Sequence, residues 1–473
     1  MQSARLRLAW IASLLLAIPA GAVHAATTSE VNLTQAVHQS LDSNLDLIAR
    51  HHALEAARQQ IGLARSELLP QIGLGARAQV LESDRSDAAR GNNTQESLLL
   101  AAQLSQVLYD EESWAGLGIE KYVYDGQVHQ LETFRIDLIR DAATAFLELD
   151  LALRLVAIQQ ENRELSRRNR ETSRSRIAAG WSSDREILRW DVQLASNDAD
   201  VRAAQVRALQ SSFELNRLRN RPPEDPTPIA SATIDEYGFV YAREKLAARL
   251  GDPETDRRMR DFWVRVGIRR SPELAALDSS ISAVERQLTS NRRAFWVPTL
   301  TFGAGVDHLA TENNSSSDLE TTEYYLKGVL TFPLVKGGAK IAGLEQAREA
   351  LSGLRIERRA TAQSLEQSIR AALAQASGSF ETVGFARREA TAARSNFDLV
   401  EASYTLGVDS ILDLLDAQAQ LLTAELSLAN ATYTFLQDVV AAQRELNFFA
   451  FLEHASALDS LLVELEREIP AKP

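Results

Sequence analysis

Four stretches of this chain alternate apolar and polar residues with a period of two, which is typical of a β-strand with one apolar face. We predict strands over about residues 70–81, 95–108, 298–308 and 323–333. Each is about ten residues long, the length that a tilted strand needs to cross a bilayer. The half-buried sheet of a soluble sandwich would show the same alternation, so the period alone leaves both structures open.

The rest of the chain follows a helical pattern over unusual lengths. No proline interrupts it from about Ser113 to Ala179, and ~67 residues at ~1.5 Å each make a rod of about 100 Å. Apolar residues recur there at steps of three and four, as in a coiled-coil seam, and many are alanines that let helices approach closely. Glycine turns at Gly180 and Gly407 each separate two such helices. The pattern therefore predicts two long helical hairpins.

The same order of strands and helices occurs twice. Pro70 recurs as Pro298, an offset of 228, and Gly180 recurs as Gly407, an offset of 227. Chance likeness between helices of similar composition is the alternative to a true internal repeat, which is the interpretation we adopt. Four prolines between residues 222 and 228 mark the joint between the copies. The predicted parts after the leader are a first structural repeat (26–222), an equatorial segment (223–270), a second repeat (271–452) and a C-terminal tail (453–473).

The first 25 residues resemble a secretory signal peptide. Arg5 and Arg7 precede a short apolar run, and small residues stand at the cleavage position before Ala26. A single membrane anchor is the alternative, although the run is short for a spanning helix. Beyond residue 25 no stretch of about 18 apolar residues occurs, so we expect that any membrane crossing uses strands.

Four strands do not close a barrel, and an open sheet would leave unpaired edges in lipid. If these strands cross a membrane, several copies of the chain must therefore join. Membrane lipid would then be the solvent of their apolar faces.

Composition narrows the classes of function. Lys and Arg number 51 against 64 Asp and Glu, a net charge of −13, so no nucleic-acid partner is expected. The absence of Cys excludes disulfides, thiolate metal sites and a lipid anchor on a cysteine. The seven histidines are scattered, and the adjacent His51 and His52 point to different sides of a helix. We therefore expect no metal, no cofactor and no enzyme activity.

Two acids stand on one face of the helix that follows Gly407. Asp413 and Asp416 are three residues apart, and acids in a first helical turn interact favourably with the helix dipole, which is the ordinary explanation. By sequence count both lie deeper in the helix than capping residues do, and three chains around an axis would stack them into two rings of carboxylates. Such rings attract cations, so both acids are candidate gate and selectivity residues.

The segment from Tyr404 to Gln418, YTLGVDSILDLLDAQ, resembles the TolC-like outer-membrane efflux proteins. The resemblance covers about residues 31–450 and follows the order of strands and hairpins in both repeats. Its other motifs are Leu68-Leu69-Pro70, Ala179-Gly180-Trp181, and Phe332-Pro333-Leu334 before Gly337-Gly338.

This resemblance implies a mixed, mainly α fold. In a homotrimer each chain would give four strands to a twelve-stranded transmembrane β-barrel, which continues into a long periplasmic α-helical coiled-coil barrel. The implied function is a passive exit duct of a tripartite efflux or type I secretion system, in the outer membrane of a Gram-negative bacterium, for small molecules or proteins. A secreted periplasmic coiled-coil scaffold without a pore and a periplasmic hydrolase with long helices are the alternatives.

Similar proteins dock at their hairpin tips onto a periplasmic adaptor that is joined to an inner-membrane pump. The matching positions here are Gly180, Trp181, Gly407 and Val408. Packing of Trp181 inside the tip is an equal alternative to docking. The acids that match Asp413 and Asp416 line the periplasmic entrance in the family.

The family also closes its entrance through a tyrosine, matched by Tyr404, that bonds an acid on the first hairpin, matched by Glu186. This sequence departs from the family next to that pair, because Asp409 stands where a basic residue is common and Arg185 where a small hydroxyl residue is usual. We hypothesise a gate latch with exchanged charges, in which Asp409 pairs with Arg185 beside the bond from Tyr404 to Glu186.

Overall fold

A computed structural model of the protein describes residues 30–80, 82, 96–181, 183–232, 253–313, 321–452 and 455–468. The predicted signal peptide and most of both strand-connecting loops lie outside these residues, as does the middle of the predicted equatorial segment. The described residues contain nine helices and four strands. In chain order these are α1 (Leu33–Ser43), α2 (Leu45–Ser66), β1 (Gln71–Val80), β2 (Glu96–Tyr109), α3 (Glu111–Ala178), α4 (Asp184–Leu218), α5 (Pro253–Arg270), α6 (Pro272–Arg293), β3 (Thr299–Asn313), β4 (Thr322–Thr331), α7 (Ala339–Thr405), α8 (Ile411–Glu445) and α9 (Ala455–Glu468).

The four strands form one antiparallel sheet in the order β1-β2-β3-β4. β2 pairs with β3, so the sheet joins the two repeats edge to edge, and β3 extends beyond the predicted end at residue 308 because its last residues pair with the start of β2. Among the described strands, β1 and β4 each have one edge without a partner. Their apolar residues stand outward, with Leu74 85% and Leu326 78% exposed.

The two predicted helical hairpins are confirmed. α3 has 68 residues and packs against α4, and α7 has 67 residues and packs against α8. Gly180 and Gly407 end the long helices with φ of 79° and 81°, a left-handed conformation that glycine adopts at little cost. Both turns close in the same way, since the amides of Trp181 and Val408 donate to carbonyls five residues earlier, at 2.8 and 3.0 Å.

Four apolar clusters hold the described helices together, and the smallest joins α6 and α7 around Leu288 and Leu351. The largest joins α1, α3 and α8 around residues such as Phe146 and Leu436, and a second joins α5, α7 and α9 around Phe262. The third lies near the hairpin tips, around Trp190 and Tyr404. Contacts between α3 and α8 connect the first hairpin to the second. Among the described helices, none carries a segment long and apolar enough to pass through a bilayer.

Candidate functional site

Tyr404 is fully buried in the last turn of α7, and its side chain reaches across to both helices of the first hairpin. Its hydroxyl donates to the Glu186 carboxylate at 2.7 Å, so it accepts the hydroxyl proton of Ser173, whose oxygen lies 2.6 Å away. Ser173 accepts in turn from the indole nitrogen of Trp190 at 2.8 Å. The hydrogen bonds thus form one chain that runs from Trp190 through Ser173 and Tyr404 to Glu186. In such a chain each bond polarises the next.

Arg176 on α3 holds the same tyrosine from another side. Its guanidinium carbon lies 4.1 Å from the centre of the Tyr404 ring, and its terminal nitrogen donates to the backbone carbonyl of Tyr404. The Tyr404 carbonyl also accepts from the Gly407 amide at 3.0 Å, so Arg176 adds a further bond to a carbonyl at the end of α7. The first hairpin therefore binds Tyr404 through its hydroxyl, ring and backbone.

Burial raises the pKa of the Tyr404 phenol above its usual value, and the neighbouring Glu186 carboxylate contributes to the increase. The hydroxyl consequently keeps its proton at neutral pH and remains a hydrogen-bond donor. The closed contact between α7 and α4 is thus a bond from a neutral donor to a carboxylate.

Sequence reasoning placed Tyr404 and Glu186 together but missed Ser173, Arg176 and Trp190. One signal could have found two of them. Ser173 lies seven residues before Gly180 and Trp190 ten residues after it, and residues at similar distances from a hairpin turn face each other. No comparable sequence signal indicates Arg176, because its partner lies on the other hairpin.

The proposed partners Asp409 and Arg185 are not brought together in one chain. Arg185 is exposed in the first turn of α4, and Asp409 is half-buried in the turn between α7 and α8. In the described part of the chain neither side chain forms an ion pair. The latch between them therefore stays a prediction.

Asp413 is the third residue of α8, which begins at Ile411, and it forms a capping box with Ser410. The amide and hydroxyl of Ser410 donate to one Asp413 carboxylate oxygen at 3.1 and 2.6 Å, and these bonds hold the pKa of Asp413 below its usual value. The expectation that Asp413 sits too deep to cap is wrong, because the helix starts later than the sequence suggested. Asp416 lies one turn further and accepts from Gln420 at 2.7 Å.

Both carboxylates nevertheless stay exposed to solvent. Capping uses one oxygen of Asp413 and leaves its charge in place. A cap and a cation-attracting carboxylate are therefore compatible roles for Asp413, and Asp416 takes no part in the cap.

The two hairpin tips present apolar side chains to solvent. Trp181 is 66% exposed, and Val408 and its neighbour Leu406 are at least as open. The alternative that Trp181 packs inside its own tip is not what the structure shows. Gly180 and Gly407 supply the positive φ that these two tight turns need.

The sequence and the fold of this chain are similar to those of known proteins. Residues 36–221 and 264–446 match the family described as outer membrane efflux protein. Outer membrane protein TolC of Salmonella enteritidis is 26% identical over 415 residues, which are 86% of this chain and 79% of that protein.

Solved structures share the fold at lower identity. The crystal structure of CusC, described with its folding and transmembrane channel formation, superposes with a TM-score of 0.72 at 16% identity and covers 88% of this chain and 91% of that one. The CmeC outer membrane channel of Campylobacter jejuni gives 0.71 at 15% identity and covers 92% and 89%. Because the family match spans both repeats and both hairpins, this chain belongs to the outer membrane efflux protein family and is an exit channel of the Gram-negative outer membrane.

Proposed function

We propose that three copies of the chain form a passive duct that is gated at its hairpin tips. A pump in the inner membrane, joined through a periplasmic adaptor, would deliver small molecules or proteins to that end. The unpaired outer edges of the four-stranded sheet carry the proposal. The chain supplies walls and a gate, and it neither catalyses a reaction nor consumes energy.

The sheet is incomplete in one chain. Within the described part of the chain, β1 and β4 each leave a row of backbone donors and acceptors without a partner strand, and their exposed apolar side chains favour a lipid environment. If β4 of one copy pairs with β1 of the next, three copies close a twelve-stranded wall without edges. Three is the number that the resemblance to the TolC-like proteins implies.

The helices also leave apolar surface without a packing partner in one chain. Exposed apolar residues follow one face of α4 at coiled-coil spacing, and a similar exposed stripe follows α7. The stripes comprise Leu188, Val192, Val206 and Leu209 on α4, and Phe385 and Leu399 on α7 with Leu406 directly after its end. Packing of the α4 stripe of one copy against the α7 stripe of the next would bury both and continue the wall below the sheet. The two stripes thus support a closed ring of copies.

The tips would be the periplasmic docking end. Exposed apolar side chains rimmed by charged helices are typical of protein–protein contact sites. Trp181 and Val408 are such residues, one on each hairpin. An adaptor would thereby contact both hairpins at once, which would couple its binding to the Tyr404 contact between them.

Reconstitution into a planar bilayer tests the duct. We expect discrete ion currents from the purified full-length protein, because a closed strand wall surrounds a polar lumen. A coiled-coil scaffold without a pore would stay soluble without detergent and would carry no current. Absence of current from protein that has entered the bilayer contradicts the proposal.

The carboxylate rings predict how divalent cations block that current. Replacing both Asp413 and Asp416 with Asn should weaken block by Mg²⁺ severalfold, since rings of carboxylates concentrate cations at the entrance. Ser410→Ala is the control, because it removes the hydroxyl that caps α8 but keeps both charges, so its block should match that of the parent. Unchanged block in the double Asn variant would place the cation-binding acids elsewhere.

The charge-exchanged latch predicts the result of swapping its charges. If Asp409 of one copy pairs with Arg185 of the next, Asp409→Arg and Arg185→Asp should each raise conductance, because each places like charges together. The double variant restores opposite charges and should return to the low conductance of the parent. Equal single-channel conductance in all four proteins would reject the latch and leave the bond from Tyr404 to Glu186 as the closing contact.

A further inference from the structure

One face of the four-stranded sheet is polar and carries charged side chains. The even-numbered residues of β1 and β4 form the other, apolar face, which includes the exposed Leu74 and Leu326. Through most of the sheet the odd-numbered residues of neighbouring strands pair with one another, so they share the polar face. Its charged residues include Arg77, Asp307, Glu323 and Lys327. If the apolar face turns to lipid, the polar face lines the lumen of the proposed duct.

Lys327 is the first charge on the polar face from the helical end of the sheet. It lies near the middle of β4, and the residues between it and Thr331 are uncharged, as are their partners on β3. The matching ends of β1 and β2 are uncharged as well. Anything that passes from the helical part of the duct into the strand wall would therefore meet Lys327 before any other charge of the described strands.

The nearest acids of this face leave the charge of Lys327 largely uncompensated. Glu323 stands four residues before Lys327 on β4 and pairs with Asp307. At ~3.3 Å per residue this separation is about 13 Å, which exceeds the Debye length of ~10 Å at 0.1 M salt. Among the described residues Lys327 forms no ion pair, so its ammonium group can interact with a mobile anion.

Two glycines of β3 let the side chains opposite them lie flat on the sheet. Gly303 pairs with Lys327, and Gly305 pairs with Tyr325. A Cβ at either glycine would overlap the opposite side chain, at 2.8 Å from Lys327 Cε in the case of Gly303. The Lys327 ammonium nitrogen lies 5.2 Å from the centre of the Tyr325 ring, within the range of a cation–π contact. The bare backbone and the ring thus hold the ammonium group close to the wall.

We propose that the three Lys327 side chains of the assembled duct form a cationic ring in the strand-walled lumen, which attracts anionic cargo that carries carboxylate or phosphate groups. The inference rests on the proposed duct. It assigns the strand wall a charge preference opposite to that of Asp413 and Asp416 near the hairpin tips. Gly303 and Gly305 keep the ring against the wall, so the passage stays wide where the charge is placed.

Reversal potentials in a tenfold KCl gradient test the ring. In an open Tyr404→Phe background, Lys327→Gln should lower the permeability ratio of chloride to potassium about threefold, because rings of charge set which sign of ion enters a pore. Lys327→Arg keeps the charge and should keep the ratio. The difference between Gln and Lys should shrink at 1 M salt, where the Debye length is ~3 Å.

Lys336→Gln is the matched control for Lys327→Gln. Lys336 is exposed and follows the end of β4, outside the paired strands. Its loss removes the same charge from each copy and should leave the ratio at the parent value. An unchanged ratio in Lys327→Gln, or an equal fall in both variants, would overturn the ring while leaving the duct intact. A parent protein that enters the bilayer without current would instead contradict the duct itself.

The glycines of β3 predict a second result. Gly305→Ala should lower the single-channel conductance, because the added methyl group lifts the Tyr325 ring from the wall toward the lumen. Adding Tyr325→Ala to that variant should restore the conductance, which separates a lifted ring from a misfolded strand. Gly75→Ala is the control, since Gly75 lies on the same face and no atom lies within 4 Å of a Cβ placed there. Full conductance in Gly305→Ala would overturn the role of the glycines in holding the ring against the wall.

Discussion

Channels that carry Tyr404→Phe should be open about tenfold more often than the parent channel. The change removes one hydroxyl and leaves the ring, so the Ser173 hydroxyl loses its acceptor in a fully buried site. A buried polar group left without its partner costs about 1–3 kcal/mol, and every ~1.4 kcal/mol changes a population ratio tenfold. That cost falls on the closed state, because only there do α3, α4 and α7 meet at this tyrosine.

Single-channel recording in planar bilayers measures the open fraction. Tyr122→Phe on the exposed side of α3 removes the same hydroxyl from a partly exposed tyrosine, so its open fraction should equal that of the parent. Glu186→Gln should also open the channel, because the amide is a weaker acceptor than the carboxylate. If Tyr404→Phe and Tyr122→Phe conduct alike, the bond from Tyr404 to Glu186 does not close the gate.

The bond from Tyr404 to Glu186 also limits the pH range in which the gate stays closed. The pKa of the Tyr404 phenol is raised by burial and by Glu186, so the closed state binds this proton more tightly than the open state. Its contribution to closure is complete below the ordinary value of 10.0 and is lost as pH rises through the raised value. Closure by this group should therefore persist throughout the neutral range.

Removal of the Glu111 carboxylate should produce the second large effect, a loss of about 2 kcal/mol of stability. Glu111 begins α3 directly after β2 and is 6% exposed. It accepts from the Tyr109 hydroxyl at 2.7 Å and from the guanidinium groups of Arg286 and Arg293 at 2.7 and 3.2 Å. The group ties the junction of strand and helix to α6.

Burial alone would raise the pKa of Glu111, but the bonds from Tyr109, Arg286 and Arg293 outweigh it and lower the pKa. The stabilisation is therefore present above the ordinary value of 4.5 and is lost as pH falls through the lowered value. Glu111→Gln should unfold at lower denaturant concentration, as measured by circular dichroism in detergent at pH 7. The deficit should shrink in acid, where the parent also loses the charge.

Glu345→Gln is the matched control for Glu111→Gln. Glu345 pairs with Arg348 one turn away on the exposed side of α7, and such pairs contribute about 0.5 kcal/mol or less. Its unfolding midpoint should remain close to that of the parent. Equal losses in both variants would show that Glu111 acts as an ordinary surface charge and that the junction is held by other contacts.

Much of the fold could be predicted because its periods are long and regular. The alternation in four stretches indicated the strands, and uninterrupted heptad spacing with Gly180 and Gly407 indicated the two hairpins, all of which the structure contains. The functional sites were harder to predict from the sequence. We did not expect Asp413 to cap α8. The helix begins at Ile411 because Ser410 and Asp413 bond each other, and the sequence pattern did not reveal this start.

Local sequence by itself determined the strands, the long helices and the turns, because period, proline and glycine act on backbone conformation within a few residues. Only the tertiary structure decided that Ser173, Arg176 and Trp190 surround Tyr404, and that one polar face of α3 receives Gln418. Contacts between hairpins depend on the rotation and relative height of helices more than two hundred residues apart, and heptad spacing leaves both of these free. The packing of whole hairpins sets them.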